Sequence, residues 1–158
     1  MVQVLARSAS VVSGSTTYRR KIGMTLTEFN SLYDYKYDPE DRDVWFVIKL
    51  NDKGMYRGDC EDYSLSVLYY VVCQESWLKF WWLLFTFQAE ICGCKAKTGG
   101  GHAVLRCGDQ YIDNWSKAWV PRSGMTEGLG HEFWPWNYTI LPTTVAIKMA
   151  LGKIRGNQ

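Results

Sequence analysis

The chain has 158 residues, 47% of them hydrophobic, and its 18 basic and 16 acidic side chains leave a formal charge of +2. That length supports one domain with a real core and is short for two; no basic cluster exceeds Tyr18, Arg19, Arg20 and Lys21, which argues against nucleic-acid binding. Five cysteines, at positions 60, 73, 92, 94 and 107, cannot all pair within one chain, so a reducing compartment is expected.

Residues 1 to 17, rich in Ser, Thr and Val, read as a strand or a loose arm with no secretory signal. Thr25 or Thr27 is expected to cap a short helix through Glu28, Phe29 and Leu32. The Tyr-rich, acidic stretch 33 to 43, with Pro39, reads as a surface loop. Val44, Trp45, Phe46, Val47 and Ile48 form a buried strand or a short helix, which periodicity does not separate, and Asn51 to Gly54 is turn chemistry.

Gly58 and Asp59 then introduce a helix that begins at Cys60, with Asp59 placed to cap its first turn. Its apolar positions Tyr63, Val67, Tyr70 and Val71 lie on one face and Leu65, Leu68 and Val72 on another, which marks a central helix. Gln74, Glu75 and Ser76 break the run. Trp77 to Phe87 reads as a second helix packed into the core; at 11 residues with Lys79 inside, it is too short to cross a bilayer, and membrane contact through it is not expected. From Ala89 the texture turns to strands, with a Gly99, Gly100, Gly101 linker and a hairpin that turns at Gly108 and Asp109. Residues 121 to 137 form an irregular surface segment, Tyr138 to Leu141 another strand, and Thr143 to Ile154 a closing helix weakened at Gly152. The whole is an α+β domain.

A cysteine at a helix N-terminus sits where the helix dipole favours thiolate over thiol. As a nucleophile it needs a base and a group to orient that base. His102 opens a strand, and Asp113 stands on the returning strand of the same hairpin. A turn centred near Gly108 lets the two face each other directly, with Cβ atoms about 4.5–5.5 Å apart. His131 is expected to be exposed and without a role; the other reading has it lining a groove beside Trp134 and Trp136. Cys73, Cys92, Cys94 and Cys107 read as inert small hydrophobes, and the spacing of Cys92, Cys94, Cys107 and His102 matches no strong zinc pattern.

Gly-Asp-Cys-Glu-Asp-Tyr at residues 58–63, Gly-His-Ala-Val-Leu at 101–105 and Tyr-Ile-Asp-Asn at 111–114 together resemble the bacterial transglutaminase-like cysteine peptidases. That family includes a periplasmic protease acting on biofilm adhesins and short stand-alone members from bacteriophage genomes. Trp45, 15 residues before Cys60, is similar to an upstream tryptophan of the family. The similarity covers roughly residues 33 to 120, the catalytic core, flanked by an N-terminal arm and short helix (1–32) and by a loop, strand and closing helix (121–158) of one domain.

The resemblance implies a papain-like core, with the nucleophile at the start of a central helix packed on an antiparallel sheet. It implies Cys60 as nucleophile, His102 as base and then acid, and Asp113 as orienter, with a peptide or isopeptide amide as substrate. The backbone N–H of Cys60 then belongs to the oxyanion hole, with Trp45 and Trp115 at the oxyanion and substrate groove. In adhesin-processing members the acids beside the nucleophile bind calcium, which maps here onto Asp59, Glu61 and Asp62; no other cofactor is implied. These three acids also have a plain reading as helix-start carboxylates that complement the dipole. A different class of function is a phage virion or tail component that keeps the fold and contacts other virion proteins. The expected location is the host cytoplasm or the virion.

Overall fold

A computed structural model describes residues 23–38, 44–133 and 138–155. The expectations for residues 1–17, for Pro39, and for Trp134 and Trp136 fall outside the described residues.

Helix α1, Leu26–Leu32, begins as its sequence requires. The Thr25 side chain accepts from Glu28 N–H, and the Glu28 carboxylate accepts in return from Thr25 N–H. The following Tyr33–Tyr35 is not a loop but strand β1, which pairs in parallel with β2, Tyr56–Gly58. The acidic, Tyr-rich composition concealed this because Tyr33 turns inward: its hydroxyl donates to the Gly58 and Asp59 carbonyls at 2.9 and 3.1 Å. Residues 44 to 50 are neither strand nor helix. They are irregular backbone, bridged at Leu50 to Tyr56, with buried Val44, Trp45 and Ile48, and fastened sideways: Phe46 N–H donates to Asp62 and Ile48 N–H to Ser66. Asn51 organises the next turn by accepting from Lys53 and Met55 N–H.

Helix α2, Cys60–Ser66, continues into a π-helical turn over Val67–Val72. Gln74 and Glu75 then adopt left-handed backbone angles that stop it, and Ser76 caps helix α3, Trp77–Phe85. Strand β3, Ala89–Lys95, β4, Gly101–Cys107, and β5, Gln110–Ile112, follow; β6, Val120–Pro121, and β7, Tyr138–Ile140, complete one antiparallel sheet in the order β6-β5-β4-β3-β7. Helix α4, Pro142–Arg155, closes the chain against α3. The fold is α+β, and α2 lies on β4.

The main core joins α2, α3 and one face of the sheet through Phe29, Tyr63, Leu65, Leu68, Phe80, Ile91, Ala103 and Leu105. Val104, Tyr111, Cys94 and Met125 pack on the other face. Strand β4 is thus buried on both sides, with alternate residues sent to each. Helix α3 departs from the expectation of a core element: Phe80 and Leu84 are buried, but Trp77, Leu78, Trp82, Phe85 and the following Phe87 are exposed. The continuous apolar run hid a one-sided helix, since periodicity is unreadable where both faces are apolar.

Gly152, read from sequence as a weak point of α4, has a packing role. A Cβ there would stand 2.6 Å from the Trp45 carbonyl oxygen. Glycine to alanine in an exposed helix gains about 1 kcal/mol; here overpacking reverses the sign. Gly152→Ala is expected to lower stability by about 1–3 kcal/mol in urea unfolding.

Candidate active site

Gly58, Asp59 and Cys60 form the corner between β2 and α2. A side chain at Gly58 would meet the Asp62 Cβ at 2.7 Å, so glycine lets the first helical turn fold back on the strand. Asp59 caps the helix through Asp62 N–H. Strand β5 ends at Ile112, opposite Leu105, which leaves the edge of β4 free at Ala103. Helix α2 meets that edge. Ser64 Oγ lies 3.5 Å from the Ala103 carbonyl oxygen, and the Ala103 N–H faces the Cys60 sulphur. The nucleophile candidate therefore sits beside the residue that follows His102.

The hairpin register pairs Cys107 with Gln110 and Leu105 with Ile112, two residues from the direct His102–Asp113 pairing expected. An even offset keeps a side chain on the same face, where an odd one would have reversed it. Asp113, just past the strand, still reaches its partner: His102 Nε2 lies 2.7 Å from Asp113 Oδ2. Both side chains are buried. Using Nε2 for the carboxylate leaves Nδ1 as the nitrogen available to a thiol.

His131 overturns its expected exposure. Its relative exposure is 2%, and its Nε2 lies 2.8 Å from the same Asp113 Oδ2. The other oxygen, Oδ1, accepts from Ser116 N–H at 2.7 Å. Burial would push the Asp113 carboxyl up, but His102, the Ser116 N–H and His131 together outweigh it and hold the group well below the usual carboxylate range. A lone histidine between glycine and glutamate carries no periodic signal. Only the tertiary approach of residues 124–132 to β3 brings it in, through the Lys95–Glu132 bridge.

Trp115 is where a groove residue belongs. Its ring centroid is 5.3 Å from that of His102 and 5.1 Å from that of His131, and it is 41% exposed. Trp45 is not: it is buried against α4, with Lys148 over its ring. Its connection to the site is indirect, through Phe46 N–H to Asp62.

The Cys60 thiol donates to Glu61 Oε2 at 2.9 Å, and no hydrogen bond joins it to His102. Burial pushes this thiol far up, the Glu61 charge and hydrogen bond push it further, and the Ala103 N–H pulls the other way. The helix dipole expected to favour thiolate is outweighed in this arrangement. Burial and neighbouring carboxylates likewise lift Asp59 to about 8 and Asp62 to about 9. Asp62 Oδ1 accepts from Phe46 N–H, while Oδ2 is buried without a partner.

Among the described residues, the group of metal-ligating side chains that converges is His102, Asp113 and His131, not Asp59, Glu61 and Asp62. Asp59 caps α2 and shares a hydrogen bond with Glu61, Glu61 also accepts from the Cys60 thiol, and Asp62 holds Phe46 N–H. Cys73, Cys92, Cys94 and Cys107 are free and raised by burial. No helix among the described residues is long and apolar enough to cross a membrane.

Asp59 and Asp62 have folded values above the unfolded value of about 3.9. The folded chain therefore binds more protons than the unfolded one between about pH 4 and pH 9, and stability falls as pH rises through that window. Asp62→Asn keeps the acceptor for Phe46 N–H and removes one of these protons. Its urea midpoint is expected to fall less than that of the wild type between pH 5 and pH 9. Comparison with family models, curated proteins and solved structures finds no match for this chain.

Proposed function

We propose that the chain is a papain-like thiol hydrolase that cleaves a peptide or isopeptide amide through an acyl-enzyme on Cys60. The observation that carries this reading is the buried His102–Asp113 pair, set one residue from the N–H that faces the Cys60 sulphur. In the reaction, the thiol turns from Glu61 to His102 Nδ1 and gives up its proton. The sulphur then attacks the amide carbonyl. The C–N bond breaks as His102 protonates the leaving amine, and water, deprotonated by His102, cleaves the thioester to release the acid and restore the thiol. An amine in place of water gives transamidation by the same steps. The Cys60 N–H at the start of α2 is the natural oxyanion donor, a contribution of about 2.7–4 kcal/mol where measured in other sites. Trp115, tilted against His102 and open to solvent, forms a wall for an extended substrate.

Glu61 holds the resting thiol protonated. Entry of substrate that draws Glu61 away would activate the site only when it is occupied.

A second reading, a phage virion or other interaction protein, is favoured by the exposed apolar side chains of α3. The two separate on one variant. If Cys60→Ala leaves amide cleavage intact in a screen of peptide and isopeptide substrates, the hydrolase reading is overturned.

A peptide-based electrophile, which occupies the site as substrate does and draws Glu61 away, is expected to modify Cys60 ahead of the four other cysteines, read by peptide mass spectrometry. His102→Ala is expected to abolish that preference. Glu61→Gln removes the adjacent charge and is expected to speed Cys60 labelling at pH 7 by about tenfold, one unit of thiol ionisation. Calcium or a chelator is expected to leave the rate unchanged. Equal, slow labelling of all five cysteines by the peptide-based electrophile would overturn the assignment.

A further inference from the structure

Two histidines share one carboxylate oxygen at the site, and the triad uses one of them. His131 Nε2 and His102 Nε2 approach Asp113 Oδ2 at 2.8 and 2.7 Å, while Ser116 N–H occupies Oδ1. A carboxylate only accepts, so each imidazole presents an N–H from Nε2. For His131 the other nitrogen completes the assignment. Its Nδ1 is buried without a partner. A proton there would be an unsatisfied buried donor, at a cost of about 1–3 kcal/mol. The His131 proton therefore sits on Nε2, and Nδ1 is a bare lone pair.

The same observation separates His131 from a metal ligand. His102, Asp113 and His131 are donor types that bind transition metals and lie close enough together to do so. A metal on Nε2 would force the His131 proton to Nδ1, and metal-bound histidines almost always give that proton to an acceptor. None is present at this nitrogen.

The position of His131 does not depend on its ring. Its backbone N–H donates to the Met125 carbonyl, and the next residue, Glu132, exchanges two 2.9 Å hydrogen bonds with Lys95 of β3. The imidazole is thus delivered to Asp113 by a hydrogen-bonded backbone. It also packs on His102, ring centroids 4.8 Å apart, while Trp115 packs on both.

We propose that His131 is a positioning residue of this site, a fixed N–H donor that fills the second lone pair of Asp113 Oδ2. It thereby locks the carboxylate rotamer that presents His102 with Nδ1 free for Cys60. The inference rests on the reading of Cys60, His102 and Asp113 as the reacting set, and it adds a fourth member that touches neither thiol nor substrate.

The tautomer is read first, on the wild-type protein, by long-range proton–nitrogen NMR correlation of the histidine rings. His131 is expected as the Nε2–H form, a result independent of activity. An Nδ1–H form, or zinc bound stoichiometrically and lost in His131→Gln, overturns the proposal. His131→Leu removes the donor and is expected to lower kcat, or the Cys60 labelling rate, by about 100-fold with KM unchanged, the scale of a misplaced reacting group. His131→Gln restores an N–H at similar reach and is expected to recover most of that loss. A leucine variant as fast as wild type overturns the proposal, as does a glutamine variant that melts like wild type yet stays as slow as leucine. Failure of the hydrolase reading shows up separately, as activity that survives Cys60→Ala.

Discussion

A carboxylate sealed from water is tolerable only where donors surround it, and Asp113 is such a carboxylate. Its three donors come from three places: strand β4, the turn at Ser116, and the segment after the π-helical turn at Gly124–Gly128. None of these can shift without leaving a buried charge short of a partner, a penalty of several kcal/mol. The sheet order, with β4 between β3 and β5, is what lets all three converge. The site is therefore a condition of the fold being complete rather than an addition to a finished scaffold.

Opposing electrostatic terms meet at the start of α2, and their magnitudes decide the outcome. The helix dipole contributes about 0.3–1 kcal/mol in favour of a negative group. Each pKa unit is worth about 1.4 kcal/mol, and burial with Glu61 beside it raises the Cys60 thiol by more than the dipole can recover. In this arrangement the thiol is turned to Glu61 and donates to it. Asp59 and Asp62, both lifted into or above the neutral range, belong to the same crowded set of acids. The corner nonetheless holds, because Asp62 ties Phe46 and the Tyr33 hydroxyl ties Gly58 and Asp59.

What was legible in the sequence was local. Thr25 with Glu28, Asp59 ahead of Cys60, and the Gly108–Asp109 turn carry their geometry in a few neighbouring residues, and each element forms where those residues place it. The His102–Asp113 pair was legible because both belong to one hairpin. The register was not, yet the error was even and preserved the face. His131 was illegible because its role depends on contacts with β3 and Asp113, residues distant in sequence. Tyr33–Tyr35 failed for a related reason: a parallel strand partner 23 residues away leaves no mark on composition. The aromatic run at 77–87 misled in the opposite way, since uniform apolarity says nothing of which side faces solvent.

Two hydrogen bonds between Lys95 and Glu132 join residues 124–132 to β3 and help hold the strip that carries His131. In the language of local unfolding, this strip is a small cooperative unit whose opening need not melt the sheet. Amide exchange at Glu132 and Lys95 would then report the same event that withdraws His131 from Asp113. Protection of those two amides and the contact of His131 with Asp113 are tied to one opening equilibrium, set by the Lys95–Glu132 bridge together with the buried Met125.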